Sequence, residues 1–430
     1  MNKSLRIFFH KFRRKRFSVQ LSISLFIIIS YFLVILYQRM QYHYTNTELD
    51  KWPPIKMFVY KIPSYFNRDW IFSSTTPDRT FIDPFKGRFN RFAEVLIHRM
   101  SKKSPIRTKN PKEANIFYVP FYSKIFHSNL YKDPTPELWS NLTAFGPYLE
   151  RNNFTDHALI QSAPNYGDAP LDQYISSETG PIISSMDFSI NIFYSVWAYA
   201  RSILIPFVSY FPGYENWLLQ YENQYKNLKN KNINNTNIKN NYINRTISFF
   251  VAQAQSHRNL NPKASKLRTN LSNILALIPN AVVLEISRKG EKNMSKVLHQ
   301  IAKNMIKSEF CLIPFGDAPS SKRFYDAINY LCIPVIVSDY VFYPYEGLDI
   351  DYEKFVIQIP QNEMNFSKIN SIIKEYGPEK RSKMREEMIK VRDKLIYSLK
   401  RPKVGDAYWR YIWALYDRYH MLSPYYDPWN

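Results

Sequence analysis

The chain has 430 residues, 45% hydrophobic and 17% aromatic, with 10 Gly, 27 Pro and a formal net charge of +22. That apolar content excludes a disordered chain, and the length suits about two domains of the usual ~100–200 residues each. The charge invites a nucleic-acid partner, but Lys3, Arg6, Lys11, Arg13, Arg14, Lys15 and Arg16 crowd into residues 1–17, and the remaining charge is spread without a zinc motif or RNA-binding signature, so no nucleic acid is expected.

Ser18–Tyr37 (SVQLSISLFIIISYFLVILY) contains no charge. As a helix rising 1.5 Å per residue it is ~30 Å long, the thickness of a bilayer's hydrocarbon core. The cations precede it and only Arg39 follows closely, so the positive-inside bias predicts a cytosolic basic tail at 1–17, a single transmembrane helix at 18–37 and the bulk of the chain across the membrane. A cleaved signal peptide has a shorter apolar run of ~7–15 residues and a small-residue cleavage site, whereas this run closes on bulky ILYQRM. The expectation is an uncleaved signal anchor of a type II membrane protein, with a stem at 38–54. Seven N-x-[ST] glycosylation acceptors follow it: Asn141, Asn153, Asn234, Asn244, Asn270, Asn293 and Asn365.

From Ile55 the pattern changes to IKMFVYKIP, a short apolar strand. FNRFAEVLIHRM (Phe89–Met100) has helical spacing, with Phe89, Phe92 and Leu96 on one face. ANIFYVPFY (Ala114–Tyr122) reads as a buried strand, Pro136–Asn152 as helical, and HALIQSAP (His157–Pro164) and RSILIPFVSY (Arg201–Tyr210) as further strands. Together 55–220 form a first α/β lobe. Residues 221–245 are rich in Lys and Asn with little apolar periodicity, so they read as a linker. TISFFVAQA (Thr246–Ala254) opens a second lobe over 246–400; a helix near Lys266–Leu277, a strand at Ala281–Ser287 and a helix at Asn293–Lys307 follow. Alternating short strands and helices imply parallel sheets covered by helices. Tyr408, Ile412 and Leu415 share a face of a C-terminal helix within 401–430, expected to pack back on the first lobe.

Phe310–Asp339 (FCLIPFGDAPSSKRFYDAINYLCIPVIVSD) holds both cysteines. FCLIPF is a buried strand, Gly316–Ser321 a turn, Lys322–Leu331 a helix with Phe324, Ile328 and Leu331 on one face, and Cys332–Asp339 the next strand. In such crossovers ligands bind at the carboxyl ends of strands, where a helix start offers free N–H groups and a partial positive charge suited to phosphate. Ser320 or Ser321 is a natural N-cap. Arg323 adds a planar cation that fits two phosphate oxygens, and Asp326 is placed to accept from ribose hydroxyls. Ordinary capping and an i,i+3 surface pair explain the same residues without a ligand. Cys311 and Cys332 lie at the amino ends of two strands, near enough either for a disulfide closing the crossover or for two buried thiols.

The stretch resembles the signature of the exostosin-like glycosyltransferases (glycosyltransferase family 47), roughly FCL-x-P-x-G-D-x-x-SS-x-R-x-x-D-A-I followed by x-x-G-C-I-P-V-I-x-S-D. The family's glycine is here Leu331. Phe342–Pro360 is similar to the segment after the signature, and Ile247–Leu271 to a strand-and-arginine segment that places Arg268 before a helix. RNNFTDHALI (Arg151–Ile160) resembles R-x-G-G-R-D-H-F, keeping Asp156 and His157 but lacking both glycines and the second arginine. RSILIPF resembles D-V-x-I-P-Y, so the likeness covers most of Ile55–Lys400.

The resemblance implies an α/β chain of the GT-B class: two Rossmann-like lobes facing across a cleft, the donor on the second. It implies a Golgi enzyme moving a sugar from a nucleotide sugar to a glycan or polysaccharide acceptor, most relatives with inversion. Family donors carry galactose, xylose, arabinose or glucuronic acid. Donor-binding residues are then Arg268, Gly316, Ser320, Ser321, Arg323 and Asp326. Asp156 with His157 is the candidate base, an imidazole oriented by a carboxylate; structural hydrogen bonding explains the pair equally well. Asp349-Ile350-Asp351 forms the D-x-D by which transferases of another fold hold manganese, but it falls in a segment that resembles an ordinary loop. No cofactor and no essential metal are therefore expected, since arginines and the helix end supply the positive charge. The alternative from another class is a catalytically silent lumenal subunit that binds glycans or supports a transferase complex.

Overall fold

The structure is a computed structural model that describes residues 50–69, 92–123, 135–144, 146–162, 179–188, 200–209, 245–254, 262–286, 294–316, 319–346, 348–398 and 401–422. The expected basic tail and membrane anchor and most of the expected stem and linker lie outside the described residues, and among the described residues no helix is long and apolar enough to cross a membrane.

Two sheets organise the chain. The first comprises β1 (Met57–Val59), β2 (Arg107–Thr108), β3 (Ile116–Tyr118), β4 (His157–Gln161), β5 (Ile182–Ser185) and β6 (Ser202–Leu204), in the order β2-β1-β3-β4-β5-β6. The second comprises β7 (Ile247–Ala254), β8 (Val282–Ile286), β9 (Ser308–Pro314), β10 (Ile333–Val337) and β11 (Ile357–Ile359), in the order β11-β10-β9-β7-β8. Every described strand pair is parallel. The helices are α1 (Phe92–Lys102), α2 (Thr135–Thr143), α3 (Pro262–Leu275), α4 (Met294–Lys307), α5 (Lys322–Asn329), α6 (Phe366–Glu375), α7 (Pro378–Arg392) and α8 (Ala407–Leu422).

The strands form because parallel sheets bury both faces and therefore demand nearly unbroken apolar runs. All five residues of β10 (IPVIV) are buried. In the first sheet alternate residues take opposite faces. Ile116, Tyr118, Ala158 and Ile160 enter the main core, whereas Phe117, Leu159 and Ile183 join Leu138 and Leu142 of α2 in a smaller cluster. In the second sheet the chain runs outward in both directions from the β7–β9 pair. Ligands of doubly wound sheets sit at the carboxyl edge beside that reversal.

α5 ends in a Schellman turn. Leu331 N–H donates to Ile328 O at 3.1 Å and Cys332 N–H to Ala327 O at 3.0 Å, with Leu331 at φ +53°. This left-handed position is the one the family fills with glycine. Immediately beyond it, Cys332 is disulfide-bonded to Cys311, the Cα atoms 5.6 Å apart. Neighbouring register explains the reach: Ile333 pairs with Phe310 and Pro334 with Cys311.

α8 spans both halves. Ala407 to Leu415 are buried throughout. Tyr408 Oη donates to Ser101 Oγ of α1 at 3.2 Å, Arg418 Nε to Ser202 O of β6 at 3.2 Å, and Tyr345 Oη to Ala407 O at 2.9 Å. The indole N–H groups of Trp409 and Trp413 both donate to Lys51 O, at 3.0 and 3.1 Å.

Asp349 of the D-x-D accepts from Arg410 of α8 (Nη2, 2.5 Å) and from Lys394 Nζ at 2.6 Å. Burial raises its pKa, but hydrogen bonds and charge from Arg410 and Lys394 outweigh that and hold the carboxyl below its ordinary value. Asp351 accepts from Glu353 N–H at 3.2 Å and caps a short turn. The two carboxylates secure a loop.

Candidate functional site

At the carboxyl edge of β9 and β10 the chain turns into α5. Ser321 is the N-cap, its Oγ accepting from Arg323 N–H at 3.2 Å. A shallow crevice opens here, lined by Ser320, Ser321, Phe324, Ile336, Phe342 and Tyr343 among others. Gly316 lies two residues past the end of β9 on the same edge. A helix start carries partial positive charge and unsatisfied N–H groups, so this rim suits an anion.

The charged groups follow at helical spacing. Arg323 Nη1 lies 3.1 Å from Asp326 Oδ2 and Lys322 Nζ 2.5 Å from Asp326 Oδ1. Ser209 Oγ of the first lobe also donates to Asp326 Oδ1, at 2.5 Å. Asp326 is completely buried. Its oxygens accept from two cations and a hydroxyl, and it orients Lys322 and Arg323. Burial pulls the Lys322 pKa down, with Asp326 opposing and Arg323 adding to that shift. The Arg323 side chain remains 24% exposed, enough to swing outward. Arg268 stands elsewhere on the same edge, on α3, where its carbonyl accepts from Gln253 Nε2 near the end of β7 at 3.3 Å.

The first lobe supplies a residue that the sequence did not single out. Asp187 lies two residues past β5, is 2% exposed, and accepts from Ser320 N–H through Oδ2 at 3.3 Å. Ser320 Oγ in turn donates to Met186 O at 3.3 Å. Burial pushes the Asp187 carboxyl up to about 7, against weaker lowering by the Ser320 hydrogen bonds. The sequence signal was slight, an acid directly after the short run IISSM.

Asp156 and His157 are not brought to this place. His157 is fully buried at the amino end of β4. Its Nδ1 is 2.8 Å from Asp156 Oδ1, its Nε2 is 2.9 Å from Tyr60 Oη, and its ring stacks on Phe117. Arg151 Nε also donates to Asp156, at 2.9 Å. The Ala158–Ile182 register puts His157 level with Pro181, four residues or about 13 Å short of the end of β5. The pair binds the first sheet together at the edge opposite Asp187.

Among the glycosylation acceptors, Asn153, Asn270 and Asn365 are exposed. Asn365 caps α6, and Asn141 donates its amide to Glu137 O at 2.8 Å. Asn234, Asn244 and Asn293 lie outside the described residues.

Residues 51–375 match the family description of the Exostosin GT47 domain. The chain is similar to the probable glucuronoxylan glucuronosyltransferase IRX7 of Arabidopsis thaliana, 22% identical over 86% of this chain and 78% of that one. It is similar to the xyloglucan-specific galacturonosyltransferase 1 of the same plant at 24% identity, over 74% of this chain and only 49% of that one. A 42% identical match to the probable arabinosyltransferase ARAD1 of Arabidopsis thaliana covers 18% of this chain and 15% of that one. Among solved structures, the crystal structure of the GtfA/B complex aligns at 10% identity and TM-score 0.30 over 65% of this chain and 61% of that one, a likeness that decides nothing about the fold.

Proposed function

We propose a function from one premise: the chain belongs to the exostosin GT47 family. The protein is a nucleotide-sugar-dependent glycosyltransferase that adds a hexosyl or pentosyl unit to a polysaccharide or glycan acceptor, as its relatives' names describe for them. Its two sheets serve as the facing lobes of a GT-B enzyme, held in the Golgi membrane by the anchor at 18–37 with the described residues in the lumen.

The donor's diphosphate sits at the start of α5. The N–H groups there and the Arg323 guanidinium, swung from Asp326, take its oxygens, and the nucleobase lies beside Phe342. Transfer is one in-line displacement with inversion. The acceptor oxygen attacks the anomeric carbon as the phosphate leaves, and charge developing on the leaving group meets fixed donors in a dry crevice, where they act most strongly. Lys322, Arg323 and the helix end supply that positive charge, so the proposal needs no metal ion.

The observation that carries this is the capped start of α5 beside a shallow crevice at the carboxyl edge of β9 and β10, rimmed by Ser320 and Ser321. The test is a panel of nucleotide sugars and polysaccharide acceptors, with Arg323→Ala beside the wild type. Turnover is expected to collapse in the variant while its unfolding midpoint holds; undiminished turnover would remove the donor site from α5.

A second reading, the non-catalytic subunit, has one observation in its favour: Asp187 and Asp326 occupy the Ser320 N–H and the Arg323 guanidinium that a phosphate needs. Calorimetry separates the two, since a silent subunit takes up no nucleoside diphosphate.

A further inference from the structure

We propose that Asp187 is the catalytic base that receives the proton of the acceptor hydroxyl. This rests on the transferase reading above and deepens it.

Position comes first. Asp187 belongs to the first lobe, on the loop leaving the carboxyl end of β5, and it reaches Ser320, just before the N-cap of the helix assigned to the phosphate in the second lobe. A base for an inverting displacement has to stand near the donor without sharing the element that holds the phosphate. Asp187 meets that requirement across the lobe contact.

Availability comes second. Among the described residues, three other acids near the lobe contact already have partners. Asp326 holds Lys322 and Arg323. Asp349 holds Arg410 and Lys394. Glu94, buried near the end of β4, accepts from Ser162 N–H at 3.0 Å and from the Ser123 hydroxyl at 3.1 Å. Asp187 has no cationic partner among the described residues, and its carboxylate accepts a long backbone bond of 3.3 Å.

The surroundings tune it. Tyr325 of α5 feels its charge, the Phe188 N–H donates to it from its own loop, and the α5 cations one turn away are engaged by Asp326. Burial without a counter-charge leaves the carboxyl titrating near neutrality, where a general base works best.

The step balances as follows. When the donor enters, its phosphate takes the Ser320 N–H and releases the Asp187 oxygen. The acceptor O–H gives its proton to that carboxylate, and the oxygen lone pair forms the bond to the anomeric carbon. The bond from that carbon to the phosphate oxygen breaks, and its electron pair leaves with the nucleoside diphosphate. Asp187 then returns the proton to solvent.

The test compares the wild type with Asp187→Asn, which matches the protonated acid in shape and still offers Ser320 an acceptor. Calorimetry with UDP, GDP and ADP reads binding. Turnover uses the donor and acceptor pair most active with the wild type, followed across pH. Asp187→Asn is expected to bind the preferred diphosphate within twofold of wild type while turnover falls by at least ~100-fold and the acidic limb of the pH profile disappears. Retention of more than a tenth of the turnover with that limb intact overturns the assignment. An equal loss of diphosphate affinity also overturns it, because Asp187 would then serve the donor site. A wild type that neither binds nor turns over any member of the panel overturns the transferase reading itself, an outcome distinct from an active Asp187→Asn.

Discussion

Leu331 sets two costs against each other. It holds φ +53° at the end of α5 with its side chain completely buried. A side-chain-bearing residue in the left-handed region costs roughly 1–2 kcal/mol, which glycine avoids. Removing a buried leucine side chain costs about 2–5 kcal/mol. Leu331→Ala keeps the strain and loses the burial, so it is expected to destabilise by about 2–5 kcal/mol. Leu331→Gly loses the same burial and one further methyl, worth ~0.8 kcal/mol, but sheds the strain. The glycine variant therefore comes out more stable than the alanine variant by roughly 0.2–1.2 kcal/mol, the reverse of their usual order in a helix or strand. Urea denaturation followed by tryptophan fluorescence reads the gap as a midpoint difference of ~0.1–0.4 M at a slope near 3 kcal/mol/M. An alanine variant more stable than the glycine variant would refute both the turn geometry and the strain attributed to it.

Two other expectations bear on stability. Replacing Cys311 and Cys332 with alanine opens a crosslink of sequence separation 21 and should cost about 3 kcal/mol by loop entropy; an alkylation mass shift that is the same with and without reductant would show that no bond exists. The Asp187 carboxyl keeps its proton up to about pH 7 when folded, against an ordinary value of 3.8, so between those values the folded state holds a proton that the unfolded state lacks. Its stabilisation is complete below about pH 3.8 and is lost as pH rises to about 7, at a slope near 1.4 kcal/mol per pH unit. Asp187→Asn should remove that slope from the wild-type denaturation series, and an unchanged pH dependence would refute the shift.

The unit β9–α5–β10 was legible because its signals agree: FCLIP and IPVIV are unbroken apolar runs, Ser321 is a strong cap, and Phe324 and Ile328 share a face. Other elements gave weaker signals. β5 has two apolar residues before two serines, and α7 buries chiefly Met384, Met388 and Val391 within fifteen mostly charged residues. The site divided along the same line. Local geometry follows from spacing, so the Arg323–Asp326 pair was visible. Ser209 meets Asp326 across 117 residues, and Ser320 meets Asp187 across 133. Only the packing of one lobe on the other brings them together, and no local periodicity encodes it. The adjacency of Asp156 and His157 in sequence likewise says nothing about which edge of a sheet the pair occupies.

The two indoles on Lys51 O determine how a pull on the leading segment would be carried. Tension arriving from residues before 50 meets α8 before it meets β1, a strand of three residues that would otherwise peel away first. Since α8 is bonded to α1, β6 and the Tyr345 loop, the load divides among attachments in both lobes.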